Sequence, residues 1–183
     1  MFSPIRIPVA LSLCFAHAAF SQQIPPPSIP VYKSDAIPPW LRIGAEQRTR
    51  YETISTRYDG DPTSDQQLAL RGRFTADAVK DAFRVQFEAH YTEVALTDAG
   101  SQLDQRFVGG AWLTRANVAW RARPNLTLTA GRMTIDFGSR RLIARNVYRN
   151  TVNTFDGLRV DASHGKWSTQ TYLVRPGLAV GEP

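Results

Sequence analysis

From Leu41 onward, apolar and polar residues alternate with a period of two over segments of about ten residues, and no other feature of the chain limits its fold as much. Leu41, Ile43, Ala45, Gln47, Thr49 and Tyr51 share one parity, and Arg42, Gly44, Glu46, Arg48, Arg50 and Glu52 share the other. A helix would scatter these residues around its circumference, whereas a strand places every charge on one face. The split recurs with Leu68, Leu70, Gly72, Phe74 and Ala76 against Arg71 and Arg73, and with Phe83, Val85, Phe87, Ala89 and Tyr91 against Arg84, Glu88 and His90. A fourth segment sets Trp112, Thr114, Ala116, Val118 and Trp120 against Arg115, Asn117 and Arg121. In a fifth, Leu126, Leu128 and Ala130 oppose Thr127 and Thr129, and in a sixth Leu158, Val160 and Ala162 oppose Arg159 and Asp161. A weaker seventh runs from Trp167 to Arg175. The fifth breaks phase at Arg132, which predicts a bulge or twist at Gly131 that turns Arg132 to the charged face.

The connections between segments alternate in length. Thr53 to Gln66, Glu93 to Gly110 and Thr134 to Val152 are longer than ordinary hairpin loops, whereas Ala78 to Ala82, Ala122 to Asn125 and Ser163 to Lys166 are tight and carry Pro124, Asn125 and Gly165. Amphipathic strands of this length, joined alternately by short turns and long loops, predict an all-β, antiparallel, up-and-down transmembrane β-barrel of outer-membrane type. Aromatic residues bracket the strands in the same sense: Trp40 with Tyr51, Phe83 with Tyr91, and Trp112 with Trp120. The same aromatics would also suit the core of a β-sandwich, but a soluble sandwich has no reason to alternate its loop lengths.

The beginning of the chain fits export. A short basic region ending at Arg6, an apolar stretch from Ile7 to Ala19 and small residues at Ala19 and Ser21 read as a signal peptide over 1–21. The single cysteine, Cys14, lies within it and follows Leu13, where lipid attachment requires a small residue. Cleavage leaves a body without disulfides or a cysteine-based metal site, as expected in a Gram-negative envelope. Six prolines between Gln22 and Pro39 make 22–39 an extended segment, and residues 40–183 form the β-domain.

If one face of each strand meets lipid, the other lines the interior. That face carries Arg42, Arg48, Arg50, Arg71 and Arg73, then Arg84, Arg115, Arg159 and, if turned inward, Arg132, interleaved with Glu46, Glu88 and Asp161. Fixed arginine charge against low-dielectric walls attracts and passes anions. Arg–carboxylate ladders could equally pack a small barrel without any transport. The long segment from Thr134 to Val152 adds Arg140, Arg141, Arg145 and Arg149, a candidate loop site for polyanions. The net charge of +6 rests almost wholly on arginine, since only Lys33, Lys80 and Lys166 are lysines, which points to carboxylate or phosphate partners. Export argues against nucleic acid. No Gly-x-Ser-x-Gly elbow or phosphate loop is present, and His90 and His164 lack metal-ligand spacing, so neither an enzyme, a cofactor nor a metal site is expected.

Short motifs in order carry a resemblance to a known family. Trp40-Leu-Arg-Ile-Gly-Ala-Glu-Gln-Arg-Thr-Arg-Tyr-Glu52, Gly131-Arg132, Phe137-Gly-Ser-Arg-Arg-Leu-Ile143, Phe155-Asp-Gly-Leu-Arg159 and Val174-Arg-Pro176 resemble the alginate export family of outer-membrane proteins. The resemblance implies a barrel of roughly eighteen strands, monomeric at full length, inserted by the barrel-assembly machinery and passing a polyuronate through an arginine-rich lumen. Arg48, Arg50, Arg132, Arg140, Arg141 and Arg159 fall on its motifs, while Met133 stands where the family usually has glutamine. Seven strands cannot close an ordinary barrel, so the chain reads as the first part of a larger one. Two other readings are a β-rich envelope protein that binds polyanions without transport, and a small complete barrel of eight strands.

Overall fold

Alternation of this kind leaves one face of each strand apolar and the other charged, and the backbone can satisfy its own polar groups only by pairing strand to strand. The computed structural model describes residues 17–18, 31–32, 36–54, 65–95, 110–136, 143, 145 and 152–177. In chain order the strands are β1 (His17–Ala18), β2 (Val31–Tyr32), β3 (Leu41–Ile54), β4 (Asp65–Lys80), β5 (Phe83–Ala95), β6 (Gly110–Arg123), β7 (Leu126–Met133), β8 (Thr154–His164) and β9 (Trp167–Gly177). The seven long strands, β3 to β9, pair antiparallel with their sequence neighbours in one sheet. The two short ones each add a two-residue pairing at an edge, β1 on β9 and β2 on β3. No helix occurs among the described residues.

The tight links close as two-residue turns. Asp81–Ala82 joins β4 to β5, Pro124–Asn125 joins β6 to β7, and Gly165–Lys166 joins β8 to β9. Asp81 at φ 53° and Gly165 at φ 57° take the left-handed conformation that a tight hairpin turn requires. Asn125 Nδ2 donates to the Ser163 carbonyl at 2.9 Å and fastens one turn to the next. The long connections leave from the opposite end of the sheet. Most of residues 1–39 and most of the three long connections lie outside the described residues.

Burial is inverted relative to a soluble protein. On the apolar face Phe74, Val85, Phe87, Val118, Leu158 and Leu173 are between 41% and 55% exposed. On the charged face Arg71 and Arg73 are 5% exposed, and Glu88 and His90 are 2% exposed. A soluble core has the opposite arrangement, and an exposed apolar face backed by a charged one is the pattern of an outer-membrane barrel. Aromatics mark the ends of the exposed face. Phe83 stacks on Trp120, with ring centroids 6.5 Å apart, beside the short turns, and Tyr51 and Tyr91 stand exposed near the long connections.

Two local expectations are corrected. Trp112 and Thr114 do not share the face of Val118 and Trp120. Register shifts so that Glu88 pairs with Arg115 while Ala89 pairs with Leu113, leaving Thr114 as an extra residue. The bulge moves Trp112 and Thr114 onto the charged face, where they are 5% and 0% exposed. Trp112 therefore is not part of the outer aromatic border. Conversely, register runs unbroken through Asn117–Gly131 and Ala116–Arg132, so no bulge turns Arg132 inward. Arg132 stays in the row of Ala116, Asp156 and Arg175, which alternates with the charged-face rows.

Candidate functional site

The charged face is built in rows that the register sets side by side. One row runs Glu46, Arg73, His90, Trp112; the next towards the long connections runs Arg48, Arg71, Thr92, Gly110. Towards the turns comes Gly44, Thr75, Glu88, Arg115. Cross-strand neighbours lie about 5 Å apart at Cβ, so unlike charges in adjacent rows meet without further folding. Glu46 accepts from Arg73 at 2.7 Å and from Arg71 at 3.4 Å.

Glu88 is the centre of this face. Its polar parity on β5 contains no other carboxylate, and burial of an unpaired carboxylate is prohibitive. Four groups satisfy it. His90 Nε2 donates to Oε1 at 2.6 Å, which fixes the proton on that nitrogen because an ionised carboxylate only accepts. Thr114 Oγ1, placed by the bulge, donates to the same oxygen at 3.1 Å. Arg145 grips both oxygens, with NH1 to Oε2 at 3.2 Å and NH2 to Oε1. Arg115 NH2 stands 3.9 Å from Oε2 and donates to Thr134 Oγ1 at 3.1 Å.

Arg145 therefore does not project into solvent as a loop arginine. It is 6% exposed and ties the connection between β7 and β8 to the charged face of β5. An apolar cluster roots the same connection: Met133, Ile135 and Tyr172 are buried together, with Ile143, Phe155 and Val174 packed against them. Met133, at the position where the resemblance led to an expected glutamine, is thus a packing residue.

Donors exceed acceptors around Glu88. Arg73 Nε, Arg145 Nε and Trp112 Nε1 are buried and have no protein acceptor among the described residues. Four arginines, at 71, 73, 115 and 145, share the carboxylates of Glu46 and Glu88. The arrangement is a buried cluster with an excess of positive charge, whose field favours carboxylate or phosphate groups.

The remaining predicted positions are distributed along the face. Arg50 Nε contacts Glu52 at 2.9 Å, and Arg48 lies half-buried beside it in the row of Arg71. Arg84 is held by Asp77 at the turn end, Nε to Oδ1 at 2.9 Å, and Arg42 is exposed opposite Asp77. Arg159 donates through Nε to Asp161 at 2.9 Å and lies over the Tyr172 ring at 5.6 Å. Arg132 is on the opposite face, paired with Asp156 at 2.7 and 2.9 Å. Arg140, Arg141 and Arg149 lie outside the described residues. Sequence reasoning missed Thr114 and Trp112 as members of the face, because a bulge that displaces one residue leaves no composition mark. Glu88 was recognisable as the lone carboxylate of its strand face.

Comparison with known proteins agrees with this geometry. The family model described as alginate export matches residues 39–180. The chain belongs to the alginate export family. This is an outer-membrane transport family and not an enzyme class, and the all-β sheet of seven up-and-down strands is consistent with part of such a barrel. No curated protein and no solved structure matches the chain.

Proposed function

We propose that this alginate export family chain forms part of the wall of a porin-like outer-membrane channel that passes anionic polysaccharide, a polyuronate such as alginate. The observation that carries the reading is the inverted burial: an exposed apolar face backed by a buried face on which arginines outnumber carboxylates. Lipid covers the first face, and the second lines the conduit. A polyuronate presents a carboxylate on each sugar, and Arg42, Arg48 and Arg50, which keep exposure along the charged face of β3, offer it successive guanidinium partners, with buried Arg71 and Arg73 adding positive field behind them. Because Glu46 already occupies part of the charge of Arg71 and Arg73, a carboxylate of the cargo meets a partly neutralised wall and does not bind irreversibly, which is the condition for conduction.

The reading requires closure. Among the described residues β3 and β9 are paired along their outer edges over only two residues each, and unpaired edges are not tolerated in hydrocarbon. Further strands complete the barrel, and the barrel-assembly machinery inserts it. The alternative of polyanion binding by the loop alone is weakened by Arg145, which is committed to Glu88.

The test is ion selectivity of the channel isolated from outer membranes, with oligouronate as blocker. Anion preference, reduced by Arg73→Glu together with weaker oligouronate block, is the expected result. Cation preference in the unaltered channel would refute the proposal.

A further inference from the structure

The row Ala116–Arg132–Asp156–Arg175 is charged although it belongs to the outward face. The next row of that face, Val118–Ala130–Leu158–Leu173, is apolar, and Val118, Leu158 and Leu173 stand exposed. The charges lie at the end of the sheet where β7 and β8 lead into their long connection, each within two residues of its strand end on β7, β8 or β9. From Trp167 at the turn end to Arg175 the strand rises roughly 20 Å for a tilt of about 40°, against an apolar band of about 25 Å. This height lies just within the long-connection border of that band, from where a long arginine side chain reaches the lipid headgroups.

Asp156 fixes one arginine and leaves the other available. Both of its oxygens accept from Arg132, at 2.7 and 2.9 Å, and Arg132 NH1 also donates to the Leu113 carbonyl at 3.3 Å. Arg175 is exposed directly across the ladder from Asp156. Two guanidinium groups and one carboxylate leave one net positive charge facing outward, above exposed Leu158 and Leu173 that present a surface for acyl chains. We infer that Arg132 and Arg175 hold the headgroup phosphate of an outer-leaflet lipid, with Asp156 as the positioning residue for Arg132. The inference rests on the membrane-channel reading above.

The protein in detergent is titrated with diphosphorylated lipid A, with the dephosphorylated form and with inorganic phosphate, and in parallel its insertion is read by quenching of Trp120 with brominated lipid. Diphosphorylated lipid A binds the unaltered protein in preference to the dephosphorylated form. Arg175→Gln and Arg132→Gln/Arg175→Gln weaken that binding by about tenfold to a hundredfold, as expected for lost charge-assisted hydrogen bonds. Arg175→Gln alone removes an exposed side chain and leaves the fold intact, so the measurement does not depend on the double variant folding. Unchanged lipid A affinity in an inserted protein overturns the lipid site and leaves the channel reading standing. Full competition by inorganic phosphate also overturns it, since that defines a free-anion site. Failure of Trp120 to contact lipid overturns both readings.

Discussion

Replacing Glu88 by glutamine removes the charge that holds Arg145 while keeping the side-chain volume. Glu88 and Arg145 are 2% and 6% exposed, so solvent screens their pairing little. Breaking a buried ion pair by removing one partner costs about 3–5 kcal/mol. The amide oxygen of glutamine still accepts one hydrogen bond, which places this variant at the lower end, near 3 kcal/mol, or about a hundredfold at 1.4 kcal/mol per tenfold. The loss acts on the docking of the β7–β8 connection, because β5 itself remains paired with β4 from Phe83 to Ala95 and with β6 from Phe83 to Thr92. Ile143, half-buried against the Met133, Ile135 and Tyr172 cluster, reports that docking. The sole native cysteine is Cys14, so Ile143→Cys gives one label site in the body. Maleimide labelling of Ile143→Cys is expected to accelerate about a hundredfold when Glu88→Gln is added, following the opening equilibrium. Arg145→Gln should produce the same acceleration, and the two together no more than either alone. Equal labelling rates with and without Glu88→Gln would refute the reasoning and show that Arg145 does not hold the connection.

Three further outcomes follow from the same geometry. Phe87→Arg, on the outward face near mid-height, should destabilise the folded protein in lipid by about 2–4 kcal/mol, whereas its neighbour Gln86→Arg, beside Asp77 on the opposite face, should cost much less, both read by urea unfolding in bilayers. Trp112→Ala should cost about 3–5 kcal/mol because the ring is buried and packs 5.7 Å from the His90 ring, while exposed Trp120→Ala should cost less, as scored by heat-modifiable migration. Gly131→Val should lower the urea midpoint sharply: its backbone sits at φ 118°, and a Cβ would lie 2.3 Å from the Ala116 carbonyl oxygen, so a strain of about 1–3 kcal/mol adds to a clash that only backbone movement relieves.

Much of the fold was legible because a period of two survives any tertiary context: once Leu41, Ile43 and Ala45 fall opposite Arg42 and Glu46, no other element satisfies both faces. The seven strands, their tight turns and the assignment of charge to one face follow from that. The errors occur where one residue changes the phase. Thr114 bulges without a glycine to announce it, and Trp112 consequently changes face. Gly131 is a visible signal in the sequence, but its unusual φ is absorbed within the ladder and leaves Arg132 outward. The candidate site was legible as a list of arginines and not as a centre. That Arg145 returns to Glu88, 57 residues away, depends on where the β7–β8 connection packs, and no local pattern encodes it. Met133 illustrates the same limit, since an apolar residue in a polar motif becomes intelligible only beside Ile135 and Tyr172.

The central claim is that the apolar face meets lipid and the charged face does not. Single-tryptophan variants, with the other tryptophans replaced by phenylalanine, test it directly in bilayers of brominated lipid. Trp120, exposed on the outward face, should be quenched strongly, and Trp112, buried on the charged face beside His90, should not. Quenching of Trp112 with Trp120 unaffected would mean that the faces are reversed and would contradict the account.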